Sequence, residues 1–400
     1  MTNKNTNRRR FIKGVGAAGI VAVAGCSGDS GDRNSGGDGS GGTEAAANGQ
    51  TQQQDLTEIN IVYPPWPGLI AFNHITKQTN ILENSLNERG YTTGKISRSW
   101  DDTTLFLAGK VDFIPTAGGA ESARMAMARD IDLTVHAQAA TNYMGWYVRE
   151  GSDLDTSNTG SFKATMEKVV EEERPYGHAG WNQGIVWPNS AILDDKLGMS
   201  YGPETNPPLN IRSADYATLP KLLVQEDLDI VVCGPPVGTS NYLVKDDPGI
   251  KCIQWQQTGL KEAGISPRVL NLGGFTTRTE WSDENEEAMI GWMEAWQKGV
   301  DWVSNPDNWD KILSKENNWQ YLAAESREEA AINLKFSAAD NPAETEGAHT
   351  DNPLPVLLGD ITLNEERITS YKNTIKLMEK TGALTGSGWE DRLSFKPLSI

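Results

Sequence analysis

The chain has 400 residues, and its 54 acidic and 36 basic side chains give a formal net charge of −18. A surface this acidic repels phosphate backbones and anionic lipid headgroups, so the composition disfavours nucleic-acid binding. The length is sufficient for two compact lobes, each with its own hydrophobic core.

The first 25 residues have the pattern of an export signal. Arg8, Arg9 and Arg10 precede a short apolar stretch that ends in Val23-Ala24-Gly25-Cys26. That stretch is too short to span a bilayer as a helix, and small residues before a cysteine are typical of a processed signal. The pattern resembles a twin-arginine lipoprotein signal. The resemblance implies a lipid on Cys26 that holds the protein at the extracellular face of the cell membrane.

A polar segment follows the signal. Residues 27–54 consist mostly of Gly, Ser, Asp, Asn, Gln and Ala, with almost no apolar side chain. Such a composition cannot form a core, so residues 26–54 are predicted to be a flexible tether with a reach of about 30 Å.

Short β patterns alternate with helical patterns from residue 56 onward, which predicts an α/β fold with largely parallel sheets. For a first sheet the predicted strands are 59–63, 111–114 and 133–137, with helices 103–107 and 121–128 beside them. For a second sheet they are 145–148, 176–179, 209–211 and 229–233, with a helix 190–197 that Gly198 ends.

The last third of the chain is predicted to be helical. Ser282 is placed to cap a helix whose apolar face includes Trp292 and Trp296, and helical spacing of this kind indicates core packing. Asn305-Pro306-Asp307 then predicts the start of another helix, with Asn305 as the N-cap, Pro306 at the first helical position and Asp307 in the first turn.

The cysteines and histidines do not form a recognisable reactive site. Beyond Cys26 there are only Cys233 and Cys252, whose spacing fits neither a zinc site nor a redox motif. Two buried reduced thiols are favoured, and a disulfide between them is left open. The four histidines lie far apart, and no metalloprotease, hydrolase or phosphate-loop motif occurs. No metal and no cofactor are therefore expected.

Three stretches together resemble the solute-binding proteins of ABC importers, in particular the nitrate, sulfonate, taurine and thiamine-precursor group. They are LAGKVDF (107–113), LVQEDLDIVVCGPP (223–236), and a strand at 267–274 followed by a helix that ends in VDWVSNPDNW (300–309). The resemblance implies a two-lobed type II periplasmic binding protein fold. Each lobe would hold a mixed, mostly parallel sheet, and the ligand cleft would lie between the lobes. Lobe 1 would comprise 55–142 and 256–400, and lobe 2 would comprise 143–255. Residues 325–400 show little resemblance to this family, and the insert 158–174 is atypical of it.

The resemblance also implies a function. The protein would capture a small organic solute or anion (sulfonate, taurine, nitrate or pyrimidine-like) by lobe closure, as a monomer. It would deliver that solute to an ABC permease and its ATPase. The acidity resembles that of proteins from haloarchaea, although an acidic secreted protein of ordinary origin fits the charge equally.

The predicted ligand contacts follow from the strand order, because ligands of open α/β sheets bind beyond the carboxyl ends of the strands. The residues placed there are Trp66, Pro67, Thr116, Ala117, Gly118, Gln138, Trp181, Asn182, Gln183, Asn189, Ser190, Cys233 and Gly234. Trp66 and Trp181, one from each lobe, would be flat walls, which favours a planar or partly apolar ligand over bare nitrate.

Two other functions are left open. Pyrimidine-precursor synthases share this fold, so an enzyme is an alternative although no catalytic motif supports it. A sensory protein that presents its ligand to a receptor is the other.

Overall fold

The computed structural model describes residues 56–64, 68–99, 101–181, 187–203, 205–243, 249–262, 273–338 and 357–400. The predicted signal, lipidation site and tether lie outside these residues. Within them, no helix is both long and apolar enough to cross a membrane.

Six strands form the first sheet. They are β1 (Thr57–Val62), β2 (Tyr91–Ser97), β3 (Phe113–Ile114), β4 (Leu133–Gln138), β10 (Gly274–Arg278) and β11 (Leu393–Phe395). The order across the sheet is β2-β1-β3-β10-β4-β11, and β10 is antiparallel to both of its neighbours while the other pairs are parallel.

Five strands form the second sheet. They are β5 (Gly145–Arg149), β6 (Pro175–His178), β7 (Asn210–Ser213), β8 (Ile230–Cys233) and β9 (Ile250–Trp255). The order is β7-β6-β8-β5-β9, with β5 antiparallel to both neighbours. Apart from the additional edge strand β11, this arrangement repeats that of the first sheet, with β5 in the place of β10. The predicted α/β fold with two mixed sheets is confirmed.

Helices pack on both sheets. Up to the second sheet they are α1 (Leu69–Asn73), α2 (Ile81–Asn87), α3 (Asp102–Leu107), α4 (Gly119–Arg129), α5 (Thr156–Thr159) and α6 (Phe162–Glu171). They continue with α7 (Trp187–Leu197), α8 (Leu219–Val224), α9 (Ser240–Leu243), α10 (Gln256–Glu262), α11 (Thr279–Glu284) and α12 (Glu286–Ser304). The last four are α13 (Trp309–Leu313), α14 (Glu316–Trp319), α15 (Arg327–Ser337) and α16 (Glu365–Lys380). Each sheet, together with the helices packed on it, is a lobe.

Local signals account for several of these boundaries. The Ser161 hydroxyl accepts a hydrogen bond from the Ala164 amide at 3.1 Å and so caps α6. Gly198 ends α7 with a left-handed φ of +65°, a conformation that glycine adopts without strain. The predicted start at Asn305 is confirmed, because its side chain accepts from the Asp307 amide at 3.0 Å.

The predicted cap at Ser282 is wrong. Ser282 lies inside α11, where its hydroxyl donates to the Thr279 carbonyl at 3.0 Å. The helix breaks at Asn285, and α12 begins one residue later. The apolar face of α12 is buried as predicted, with Trp292 and Trp296 at most 1% exposed, because both indoles pack against the first sheet beside Phe275.

One predicted strand lies partly outside the described residues, and another is shorter than expected. Residues 267–272 of the late strand expected at 267–274 are not among the described residues, and β10 runs from Gly274 to Arg278. Gly274 suits this start, because a Cβ there would lie 2.6 Å from the Ala137 carbonyl of β4. The strand expected at 111–114 is reduced to Phe113–Ile114, because β1 and β10 pair only with these two residues.

The C-terminal residues, which show little resemblance to the family by sequence, complete the first lobe. β11 pairs with β4 over residues 133–135, and α16 packs against α4. Residues 357–362 continue along the same edge. The Leu358 amide donates to the Ala139 carbonyl at 3.1 Å, and the Gln138 amide donates to the Ile361 carbonyl at 2.9 Å.

Cys233 and Cys252 are not joined by a disulfide. They lie on β8 and β9, which are the two neighbours of β5. Strands two positions apart are separated by about 9–10 Å, which exceeds the Cα separation that a disulfide allows. The sheet therefore keeps these cysteines reduced, in agreement with the favoured interpretation of the sequence.

Candidate ligand cleft between the two lobes

The carboxyl ends of the strands from both sheets meet at the chain segment that crosses between the lobes after β4. A Cβ on Gly234, directly after β8, would lie 2.6 Å from the Tyr143 carbonyl in this crossing. On the other side, Gly274 would place a Cβ 3.0 Å from the Ala117 carbonyl, directly after β3. A ligand site beyond these strand ends would therefore have walls from both lobes.

The predicted contacts after β3 are already engaged within the first lobe. The Thr116 hydroxyl donates to the Asp102 carboxylate at 2.7 Å, and the Ala117 carbonyl accepts from the Thr276 hydroxyl at 2.8 Å. Gly118 directly precedes α4 in an extended conformation. The loop is thus held in place, and Gly118 and Gly119 lie at the start of α4.

Two carboxyl groups that the sequence analysis missed lie next to this loop. Glu121 is in the first turn of α4 and accepts from the Thr103 hydroxyl at 3.2 Å. Burial, reinforced by the charge of Asp102, raises the pKa of Glu121 to about 7, although Arg124 opposes the rise. Burial also raises the pKa of Asp102, against the hydrogen bond from Thr116. Near neutral pH, Glu121 therefore exists in both protonation states.

Three tyrosines at or near the strand ends and the crossing are buried. Tyr63 follows β1, Tyr143 lies in the crossing, and Tyr216 lies after β7. Burial and then Tyr143 raise the pKa of Tyr63, and burial, Tyr143 and then Glu121 raise the pKa of Tyr216. The charge of Glu121 in the first lobe thus acts on Tyr216 in the second. Tyr63 and Tyr216 stay neutral, so both phenols can donate hydrogen bonds.

An aromatic cluster lies in the second lobe, and Trp181 is part of it. The Trp181 ring is 4.7 Å from His178, edge to face, and 4.9 Å from Tyr201, measured between centroids. His178 contacts the Tyr201 hydroxyl through Nδ1 at 2.9 Å and the Ser213 hydroxyl through Nε2 at 3.0 Å. Burial lowers the pKa of His178 to about 4, so the imidazole is neutral at pH 7. The cluster is therefore aromatic and uncharged.

Asn189 and Ser190, in the first turn of α7, have different roles. The Ser190 hydroxyl donates to the Trp187 carbonyl at 2.7 Å and so serves the helix itself. The Asn189 Oδ1 accepts from Gln256 Nε2, and Gln256 Oε1 in turn accepts from Asn142 Nδ2. This chain of buried amides fixes the orientation of Asn189.

The outer amide group of Asn189 is a candidate donor for a ligand. Its Nδ2 is buried and makes no hydrogen bond of normal geometry. The side chain nevertheless lies close enough to Tyr201 to oppose the burial that raises the pKa of that phenol. Because Oδ1 already accepts a hydrogen bond from Gln256, Nδ2 is the group of Asn189 that could donate to a bound molecule.

The other predicted contacts among the described residues lie at or directly after strand ends. Gln138 ends β4, is fully buried, and donates through Nε2 to the Ala140 carbonyl at 3.4 Å. Cys233 is fully buried, and burial raises the pKa of its thiol well above the usual range. Gly234 packs against the crossing at Tyr143. Whether any of these residues touches a solute stays a prediction.

Four predicted contacts lie outside the described residues: Trp66, Pro67, Asn182 and Gln183. Within the described part of the chain, no group of three His, Cys, Asp or Glu side chains could hold a metal ion.

Many solved structures have the same architecture, and the following three are distant in sequence. The periplasmic nitrate-binding protein from Synechocystis is 10% identical, with a TM-score of 0.56, and the match covers 85% of this chain and 86% of that chain. The alkanesulfonate-binding protein from Xanthomonas axonopodis, solved with MOPS bound, is 13% identical with a TM-score of 0.54, and the match covers 85% and 99%.

A third match broadens this group. A Candida albicans protein, described as defining a new family with the generic periplasmic binding protein fold, is 12% identical with a TM-score of 0.56 over 86% and 98% of the two chains. The chain has the type II periplasmic binding protein fold. No protein-family model matches it, and no curated protein matches it.

Proposed function

We propose that the protein is the extracytoplasmic solute-binding component of an ABC importer. It captures a small organic solute or anion by lobe closure and delivers it to a membrane permease and its ATPase. The observation that carries the proposal is that the carboxyl ends of strands from both lobes meet at the crossing, where a Cβ on Gly234 would lie 2.6 Å from the Tyr143 carbonyl. A solute bound at these strand ends would contact both lobes and so favour the closed form.

The solute classes proposed are sulfonates, taurine, nitrate and pyrimidine-like rings. Two of the structurally similar proteins are described as binding nitrate and alkanesulfonate. The aromatic cluster of His178, Trp181 and Tyr201 supports a ligand with a flat or apolar part more than it supports bare nitrate.

The placement in the cell is also part of the proposal. Residues 1–25 would direct twin-arginine export, Cys26 would carry the lipid, and residues 26–54 would tether a monomeric domain at the extracellular face of the membrane. The lobe boundaries at 142/143 and 255/256 are proposed with it. The halophilic origin suggested by the charge belongs to the same proposal.

A solute screen tests the function. Purified protein would be melted in high salt against a library of sulfonates, taurine, nitrate and pyrimidines. A true ligand at 100 times its dissociation constant stabilises the folded state by about 2.7 kcal/mol, so the melting temperature should rise with its concentration. No concentration-dependent rise with any of these classes would contradict the proposed solutes.

The solutes found in this screen also distinguish a binding protein from the enzyme alternative. Each stabilising solute would be incubated with the protein for hours and analysed by mass spectrometry. A binding protein returns the solute unchanged, whereas a pyrimidine-precursor synthase would convert it.

A further inference from the structure

Helix α15, near the C-terminus, joins the two lobes through the buried side-chain amide of Asn333. Asn333 is fully buried, and its Nδ2 donates both to the Leu322 carbonyl at 2.8 Å and to the Ser240 hydroxyl at 3.1 Å. Leu322 packs with α1 and α13 in the first lobe, whereas Ser240 begins α9 after β8 of the second lobe. A hydrogen bond between buried groups of different elements holds those elements together.

Trp187 forms a second contact between the lobes. It is the first residue of α7, which the proposed boundaries assign to the second lobe. It is 3% exposed because it packs into a cluster that contains Ala123 of α4 and Tyr371 of α16. The Arg124 guanidinium of α4 lies 5.6 Å from the centre of its indole. A cation at this distance from an aromatic face is attracted to it.

The turn after α16 forms a third contact. A Cβ built on Gly202, in the second-lobe loop that follows α7, would lie 3.3 Å from the Gly382 carbonyl and 3.5 Å from Ala383 Cα. Ala383 is 2% exposed. This loop therefore lies directly against the end of α16.

We infer that α15, α16 and residues 381–383, here named the C-terminal clamp, hold the cleft closed in most molecules before any solute binds. All three contacts span the lobes, and each would be lost when the lobes separate. Opening would expose the Trp187 indole and remove one acceptor from a buried amide, and both changes disfavour the open form. Solute would then enter through a minor open population.

A disulfide across the third contact tests this inference without any solute. The variant Gly202→Cys, Ala383→Cys places two thiols on opposite lobes at a separation suited to a disulfide in the closed form. We expect most molecules to form this bond under mild oxidation in buffer alone, as quantified by peptide mass spectrometry. Formation only after solute is added would overturn the inference.

Matched controls distinguish closure from random oxidation. Each single cysteine variant should form no new intramolecular bond. The pair Gly202→Cys, Ala331→Cys places its second thiol on α15, which contacts the second lobe at α9 rather than beside Gly202, and should not cross-link. Cross-linking of this control as fast as the test pair would equally overturn the inference.

Small-angle scattering gives a second, independent readout. Ser240→Ala removes only the second-lobe acceptor of Asn333, and Arg124→Met removes the cation over Trp187. We expect the double variant to remain folded by circular dichroism and to have a larger radius of gyration than the wild type in buffer alone. An identical scattering curve would contradict the clamp. Because no solute is present, the result is independent of the proposed function.

Discussion

Glu121 shows how burial tunes one residue of the cleft. Its carboxyl titrates near 4.5 in the unfolded chain and at about 7 in the folded chain. Between these values the folded protein binds more protons than the unfolded chain, so this group lowers stability as the pH rises from 4.5 to 7. Above pH 7 the loss is complete.

Glu121→Gln should therefore flatten this part of the pH profile. We expect the variant to be more stable than the wild type above pH 7, by on the order of 1–3 kcal/mol, with little difference below pH 4.5. Urea unfolding at pH 4.5, 6 and 8 measures the effect. Glu366→Gln is the matched control, because Glu366 is also in the first turn of a helix but is exposed. Parallel profiles for wild type and Glu121→Gln would refute the assignment.

The predicted aromatic wall of the ligand site depends on Trp181. With the solute that stabilises the protein most in the screen, Trp181→Ala should weaken binding about tenfold or more, equal to ~1.4 kcal/mol, in isothermal calorimetry. Trp66→Ala should do the same from the other lobe. Trp302, which stacks on His74 with ring centres 3.8 Å apart, provides the control Trp302→Ala. Unaltered affinity in both Trp66→Ala and Trp181→Ala would contradict the prediction that these two indoles contact the ligand.

At the scale of elements, the loop after β8 depends on one small residue. An alanine at Gly234 would put its Cβ 2.6 Å from the Tyr143 carbonyl, and a backbone atom can yield only if the loop or the crossing moves. We expect Gly234→Ala to destabilise the fold by about 1–3 kcal/mol in chemical unfolding.

Gly94→Ala is the control for this change. Its Cβ would come closest to the side chains of Asn60 and Glu58, at 3.0 and 3.3 Å, and side chains can move aside. An equal decrease in the free energy of unfolding for the two variants would show that the close approach of Gly234 to the crossing does not determine stability.

The sequence predicted the secondary-structure elements better than it predicted the contacts between them. Periodicity and turn residues located β4, β5 and the end of α7 because these signals are local. The Ser282 cap failed because a serine within a helix can donate to its own preceding turn instead. The approach of Tyr63, Tyr143 and Tyr216 could not be predicted, since residues separated by 73 or more positions meet only through the topology. Glu121 did carry a signal, as an acid directly after a glycine loop at a helix start.

At the scale of the molecule, the net charge of −18 is a source of self-repulsion in the folded state. Raising NaCl from 0.1 M to 1 M shortens the screening length from about 10 Å to about 3 Å. We expect the melting temperature to rise by at least about 2–4 °C, which corresponds to ~1 kcal/mol for a large domain. Calorimetry at pH 7.5 measures this change.

The same titration at pH 4.5 is the control for the salt effect. Many carboxylates are protonated there, so the gain from screening should be smaller. A melting temperature that is independent of salt at pH 7.5, or an equal gain at both pH values, would argue against charge repulsion as the cause.

The strand order has a consequence for synthesis on the ribosome. All five strands of the second sheet lie between residues 145 and 255, so that sheet can assemble as soon as this contiguous stretch has emerged. The first sheet begins earlier but must wait for β10, its central antiparallel member, and for β11 near the last residue. The lobe whose translation begins first is therefore the lobe that finishes folding last.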